Sequence, residues 1–278
     1  MTDITVIILT GNEELHIGRC LEKLAPLEPR QIIVVESQKG DRTHEIASQF
    51  STSTSNINLI YHDYPGNQAA QFQWVLDQLA SSTSNLNLQP STWILRLDAD
   101  EYLTDELVEE IKAKLPQMPD DVDGGVLKRR HVVGWLGDKW VKRGMYPTRI
   151  LRLFRAGHGR SDMKIMDEHI VVDRKVMEFD HDFVDHSLIS FDDWKSKHRN
   201  YAKREAQSHL SGEKSTGEKA NKKDAYYKLP RYFRAVLYWA IRFFAKGAFL
   251  EGPAAWKWCF YHALWYRCLV DYEIGKAK

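Results

Sequence analysis

Trp93-Ile94-Leu95-Arg96-Leu97-Asp98-Ala99-Asp100-Glu101 is an apolar run that ends in three carboxylates within four residues. Apolar side chains dominate residues 93–97, as in a strand buried within a sheet. Side chains along a strand repeat every second residue, so Asp98 and Asp100 fall on one face. Two carboxylates held that way repel unless a cation lies between them. A hard, oxygen-seeking Mg²⁺ or Mn²⁺ is the natural occupant, with phosphate oxygens completing its shell. The plainer alternative is a pair of solvated carboxylates in the turn after a strand, and the rest of the chain decides between the two.

Upstream of this stretch, strands and helices alternate. Residues 4–9 form a nearly continuous β-branched run, and residues 31–35 form another. Between them Asn12 can cap a helix carrying Leu15, Ile17, Leu21 and Leu24 near helical spacing. Asp41 or Thr43 opens a second helix, residues 58–61 form a third strand, 69–79 a third helix and 93–97 a fourth strand. This order predicts an α/β fold with a mostly parallel sheet and right-handed crossovers. Ligands of such sheets sit beyond the carboxyl ends of the strands. Thr10, Glu36 and Asp98 all lie there, so three strands bring polar groups to one rim, which a solvated turn does not explain.

The 278 residues suffice for a sizeable domain plus an appendage, and a net charge of +1 gives no bulk basic field for nucleic acid. Cys20, Cys259 and Cys268 show neither paired framework nor metal spacing, so free thiols in a reducing cytosol are expected. No secretory signal is expected at the start, and no uncharged run reaches the roughly 18–20 residues of a spanning helix. The Ser/Thr/Asn-rich stretches 51–56 and 81–92 read as surface loops. Residues 125–184 shift to short strands with Gly, Pro and Arg punctuation, 190–207 read as a polar helix, and 211–224 have linker composition. The predicted organisation is a domain over 1–207, a linker over 208–225 and an aromatic-rich helical appendage over 226–278. That appendage holds half of the chain's aromatic residues, and its Lys and Arg outnumber Asp and Glu. A helix starting at Pro230 carries Arg231, Arg234, Arg242 and Lys246, which can snorkel from a helix lying flat in a headgroup layer. The competing reading is a helical hairpin whose aromatics are core.

Thr10-Gly11-Asn12-Glu13-Glu14, Val34-Val35-Glu36-Ser37, Gly40-Asp41-Arg42-Thr43 and Leu97-Asp98-Ala99-Asp100-Glu101 are four blocks at or near strand ends. Together they resemble family 2 glycosyltransferases, GT-A-fold (Rossmann-like) enzymes that use nucleotide-sugar donors. Further blocks are similar to the lipopolysaccharide-core β-glucosyltransferase branch: Gly144-Met145-Tyr146-Pro147, Arg152-Leu153-Phe154-Arg155, Asp167-Glu168-His169, Asp185-His186-Ser187 and Lys197…Asn200-Tyr201…Glu205-Ala206. The resemblance covers about residues 3–206. It implies that Thr10, Asn12 and Glu13 line a nucleoside pocket and that Glu36, where the family more often has Asp, accepts a hydrogen bond from the base or ribose. It implies that Asp98 contacts the ribose or a metal-bound water, and that Asp100 ligates a metal on the donor diphosphate. Glu168 matches the family's general base, with Asp167 as runner-up. His186 is a further metal or diphosphate contact by analogy, in competition with His181. Arg152 and Arg155 can pair with a diphosphate or an anionic acceptor. Trp135, Trp140 and Tyr146 are acceptor-stacking candidates or core. The chain departs from related sequences at Phe72 and Gln73, where they usually carry a basic residue and an asparagine.

The expected function is inverting transfer of a sugar, most simply from a UDP-sugar, to a saccharide or lipid-linked acceptor in cell-envelope or lipopolysaccharide synthesis. A cytoplasmic, membrane-peripheral location goes with it. A nucleotidyltransferase would need a Gly-rich basic loop after the first strand, where this chain has Glu13 and Glu14. A binding module without catalysis is disfavoured by the intact Asp98, Asp100 and Glu168. An Asp-x-Asp phosphatase does not fit Glu101-Tyr102.

Overall fold

A computed structural model describes residues 1–53, 56–81, 92–163, 168–212 and 224–277. The loop expected at 81–92, the linker at 211–224 and Asp167 lie wholly or largely outside them. The loop expected to begin at Ser51 starts as helix instead, since the second helix runs to Ser53.

The chain divides into two compact units, Met1–Arg130 with Thr148–Leu188 and His131–Pro147 with Ile189–Lys278. In the first unit β1 (Thr2–Thr10), β2 (Pro29–Glu36), β3 (Ile57–Tyr61) and β4 (Trp93–Asp98) are parallel, in the order β3-β2-β1-β4. They are joined through α1 (Ile17–Leu24), α2 (Thr43–Ser53) and α3 (Gln68–Ala80). Both sheet faces are covered, which is why the strand sequences are continuous apolar runs. Ile4, Val6 and Ile8 join one core with Leu21 and Leu24 of α1, while Ile7 and Leu9 join a second with Phe72 and Val75 of α3. Each fully buried Ile or Val favours folding by about 1.5–3 kcal/mol over exposure, so a polar residue on either face of β1 would be costly.

The sheet is mixed rather than mostly parallel. It continues through β8 (Thr148–Arg155), β6 (Val122–Val133), β11 (Lys175–Ser187) and β5 (Glu101–Leu103), with β4–β8, β8–β6 and β11–β5 antiparallel. These are the short, Gly- and Arg-punctuated strands of the middle region. Gly125 marks a register shift in β6, and a Cβ there would stand 2.8 Å from Phe179, so only glycine lets the strands approach. A helix not anticipated from sequence, α4 (Asp105–Lys114), is capped by Thr104 and packs Leu107, Val108 and Ile111 into the first core. The strands β9 (Gly159–Ser161) and β10 (Ile170–Val172) pair as a separate ribbon.

The first helix begins later than predicted, at Ile17, and Asn12 is not its cap. Asn12 adopts a left-handed conformation (φ 61°) and ties the loop to residues 38–40, donating to Gln38 Oε1 at 2.9 Å and accepting from Gly40 N at 3.1 Å. Leu15 is left exposed. The loop is closed by side chains rather than by helical turns: Thr43 Oγ1 and Asp41 accept from the backbone N–H groups of Glu13 and Glu14.

The second unit begins earlier than the boundary expected at 207. The helix α5 (Phe191–Leu210), capped by Ser190, belongs to it, as does the short strand β7 (Lys139–Trp140). The reason is packing: Trp194 buries against Trp258 and Ala255, and Ala202 and Ala206 bury against Tyr266, Val270 and Ile274. Trp135 lies among Phe191, Trp194, Trp258 and Tyr261, and Trp140 meets Tyr146 edge-on. Two of the arginines expected to snorkel outward point inward instead, Arg234 onto Asp271 and Arg242 onto the Gly144 carbonyl. No described helix is long and apolar enough to cross a membrane.

Candidate active site

The strand register assembles the polar rim. Thr10 lies beside Glu36 across β1–β2, and Leu9 lies beside Asp98 across β1–β4. Thr10 donates to the Val35 carbonyl at 3.2 Å, and Ser37 donates to the Thr10 carbonyl at 2.8 Å, which fixes the two strand ends together. Glu36 is 2% exposed. Its Oε2 is 2.7 Å from His44 Nδ1, while its Oε1 is buried and has no hydrogen-bond partner among the described residues. A buried carboxylate oxygen without a donor is costly, so this atom calls for a ligand N–H or O–H. Glu13 is committed elsewhere. Its carboxylate takes His16 Nδ1 at 2.6 Å, and His16 Nε2 accepts from Leu188 N at 2.9 Å, so the ring bridges two segments.

At the end of β4 the carboxylates are arranged around two arginines. Arg152 Nη2 contacts Glu101 at 2.5 Å and Asp98 Oδ2 at 3.1 Å. Glu101 also accepts from the Asp98 backbone N–H at 3.0 Å. Arg96, 2% exposed, contacts Glu168 Oε1 at 2.7 Å and stands 3.6 Å from Asp98 Oδ1. Its guanidinium lies over the Phe72 ring at 4.9 Å, so a cation stands at this face of α3 although the helix does not supply it. Gln73 serves the ribbon, accepting from Ser161 N at 3.0 Å. Burial works against the Asp98 anion, but Arg152 and then Arg96 outweigh it and hold its carboxyl below the usual range. Glu101 is pushed up to about 8 by burial, against the pull of Arg152 and with the Asp98, Asp185 and Asp100 carboxylates adding to the rise. The carboxyl groups of Asp98, Asp100, Glu101 and Glu168 thus outnumber the two arginines at this rim.

That surplus fits a cation. Asp98 Oδ1 is buried and makes no hydrogen bond among the described residues, and Asp100 is half-buried in the turn between β4 and β5. Among the described residues no three His, Cys, Asp or Glu side chains converge on one point.

His186 is tied to Arg19 through one ring nitrogen. Arg19 Nη1 lies 2.9 Å from its Nδ1, and arginine only donates, so the ring proton of the neutral imidazole is on Nε2. The residue also anchors the turn: its N–H donates to the Asp100 carbonyl at 2.9 Å, and its carbonyl accepts from Arg19. His181 is joined to Glu110 at 2.9 Å. Arg155 lies over Trp93 and donates to the Met118, Pro119 and Val122 carbonyls, so it holds a loop and is not presented to a phosphate.

Sequence reasoning passed over Arg96 and Glu101. The signal for Arg96 was present, because a charged side chain inside an otherwise apolar buried strand is expensive unless it is paired. Glu101 looked like a turn residue, and only its antiparallel pairing with Asp185 on β11 buries it.

The sequence profile described as Glycosyl transferase family 2 matches residues 5–170. The lipopolysaccharide core biosynthesis glycosyltransferase LpsC of Rhizobium meliloti (strain 1021) is 29% identical over 160 residues, which are 58% of this chain and 53% of that protein. The chain thus matches about half of that relative's length. Among solved structures, the mannosyltransferase PcManGT from Pyrobaculum calidifontis, in complex with GDP-Man and Mn²⁺, aligns with a TM-score of 0.56 at 15% identity, over 99% of this chain and 88% of that one. That likeness establishes a GT-A-like fold. With the profile covering more than half of the sequence, including all four parallel strands and the Asp98-Ala99-Asp100 turn, this chain belongs to glycosyl transferase family 2.

Proposed function

We propose that the protein is an inverting glycosyltransferase that moves a sugar from a UDP-sugar to a saccharide or lipid-linked acceptor in cell-envelope or lipopolysaccharide synthesis. The observation that carries the reading is Arg96. One buried guanidinium reaches both Glu168 and Asp98, so the candidate base and the candidate diphosphate site share one neighbour. Glu168 takes the proton of the incoming sugar hydroxyl, and Arg96 orients its carboxylate for that transfer. Thr10 and Glu36 hold the nucleoside, the unpartnered Glu36 Oε1 accepting from the N–H of the base. Asp98 and Asp100 would hold a divalent Mg²⁺ or Mn²⁺, which stabilises negative charge on a departing diphosphate. Arg152 keeps Asp98 ionised and in place. One displacement from the face opposite the leaving group inverts the anomeric centre. LpsC, by its name, acts in lipopolysaccharide core synthesis, and such an acceptor would set this enzyme at the cytoplasmic membrane face.

Calorimetric titration with UDP, GDP and CMP, each with and without Mn²⁺, tests the donor site, and UDP with Mn²⁺ is expected to bind tightest. Glu168→Gln should cut transfer about 10²–10⁴-fold with donor affinity little changed. NMR of the product showing a retained anomeric configuration would overturn the single-displacement reading.

A further inference from the structure

The helix Phe233–Ala240 and the π turn Ile241–Ala245 that continues it are inside out. Their charged side chains are buried: Arg234 is 3% exposed and paired with Asp271, and Arg242 is 4% exposed and donates to Gly144 O at 3.0 Å. Their apolar side chains Phe233, Val236, Leu237, Ile241 and Phe244 recur every three or four residues along the outside, and Phe244 is 59% exposed. Ring contacts carry this face onward, from Phe244 to Phe249 at 6.2 Å and from Phe243 to Trp256 at 6.3 Å. At its edge opens a cavity of about 460 Å³ lined by residues 142–147 and Lys246. The two features meet at Gly247, where Arg143 Nη1 and the Leu250 side chain come within 3.2 and 3.7 Å of where a Cβ would stand. Lys142, Arg143 and Lys246 thus stand beside exposed aromatic and aliphatic groups. The neighbouring acid, Glu251, is turned onto the backbone N–H groups of Lys142 and Arg143, at 2.8 and 2.5 Å.

We propose that this face docks on an anionic lipid bilayer, its aromatic side chains entering the headgroup layer and the Lys142, Arg143 and Lys246 cavity receiving a lipid phosphate. Trp and Phe suit that depth, and Lys and Arg at its margin are drawn to anionic headgroups. A second copy of the chain is a poorer occupant, because a two-fold interface would bring the same three cations face to face. The inference deepens the membrane placement proposed above but uses none of the donor-site residues.

Flotation of the full chain with phosphatidylcholine vesicles, with and without phosphatidylglycerol, tests it. Binding is expected to the anionic vesicles only and to weaken as salt rises. Lys246→Gln should lower that binding about fivefold, and Phe244→Ser with Leu250→Ser should lower it further. UDP-sugar hydrolysis in solution should match wild type in every variant. A loss of hydrolysis in the wild-type chain with vesicle binding intact would count against the catalytic reading and leave this one standing. Equal binding to neutral and anionic vesicles, no binding to either, or a light-scattering dimer dissolved by Phe244→Ser would overturn it.

Discussion

Two regions of the molecule bury arginine for different ends. At the end of β4, Arg96 and Arg152 are buried among carboxylates in excess, and a rim with acceptor oxygens left over results. In the second unit, Arg234 is buried against the single carboxylate Asp271, so those two charges close on each other, while Arg242 is held by the neutral Gly144 carbonyl and the His262 ring, and the apolar residues are turned outward. The first arrangement leaves acceptor oxygens over among the described residues, and the Arg234–Asp271 pair closes within the chain. Burial of a charge therefore says little about function until its partners are counted: an unmatched set points to chemistry, and a matched pair points to architecture.

Arg234→Ala leaves Asp271 buried and unpaired, and should destabilise the protein by about 3–5 kcal/mol in urea unfolding. A cost below about 1 kcal/mol, the range of surface pairs, would mean the pair is not closed. At the unmatched end, Asp100→Ala should lower turnover of a UDP-sugar with Mn²⁺ about a hundred- to a thousandfold with the unfolding midpoint little changed. A large stability loss with turnover preserved would make Asp100 architectural.

Glu110 is a matched carboxylate in the first unit, held by Lys114 and His181. Burial opposes its charge, but Lys114, the Asp180 and His181 N–H groups and the His181 ring together lower it to about 2. Its folded pKa lies below the unfolded value, so its contribution is present above about pH 4.5 and is lost as pH falls toward 2. Glu110→Gln should therefore cost about 3 kcal/mol near neutrality, and the difference from wild type should shrink in unfolding curves taken below pH 4 (roughly the carboxylate range). The smallest effect belongs to the outward face: Phe244→Ser should change stability by less than about 0.5 kcal/mol, since its ring is already in solvent. A core-sized loss in the same denaturation experiment would show that the ring is covered.

Much of the parallel half could be read from residues alone. Short β-branched runs such as 4–9 and 31–35, separated by helical spacing, read as buried strands of a parallel sheet and put Thr10, Glu36 and Asp98 at carboxyl ends, where the structure has them. The Asp98-Ala99-Asp100 turn was visible for the same reason. The antiparallel half was harder, because its strands are short and Gly125 belongs to a close approach between distant segments. Local pattern also misjudged the aromatic tail. Period and composition describe an amphipathic helix, yet they carry no sign for which side faces inward.

Sequence order and hydrophobic run length were enough for the alternation of buried strands and helices and for an acidic edge at the strand ends, since run length and helical spacing are local properties of the chain. The β3-β2-β1-β4 order pairs segments as distant as Ile4 and Trp93 and came from the folded chain. The sharing of Arg96 between Asp98 and Glu168, the burial of Glu101 beside Asp185 and the inward turn of Arg234 and Arg242 emerged only from the folded chain. Each depends on a partner about 40 to 100 residues away, and a charge's environment is set by the groups that surround it in space.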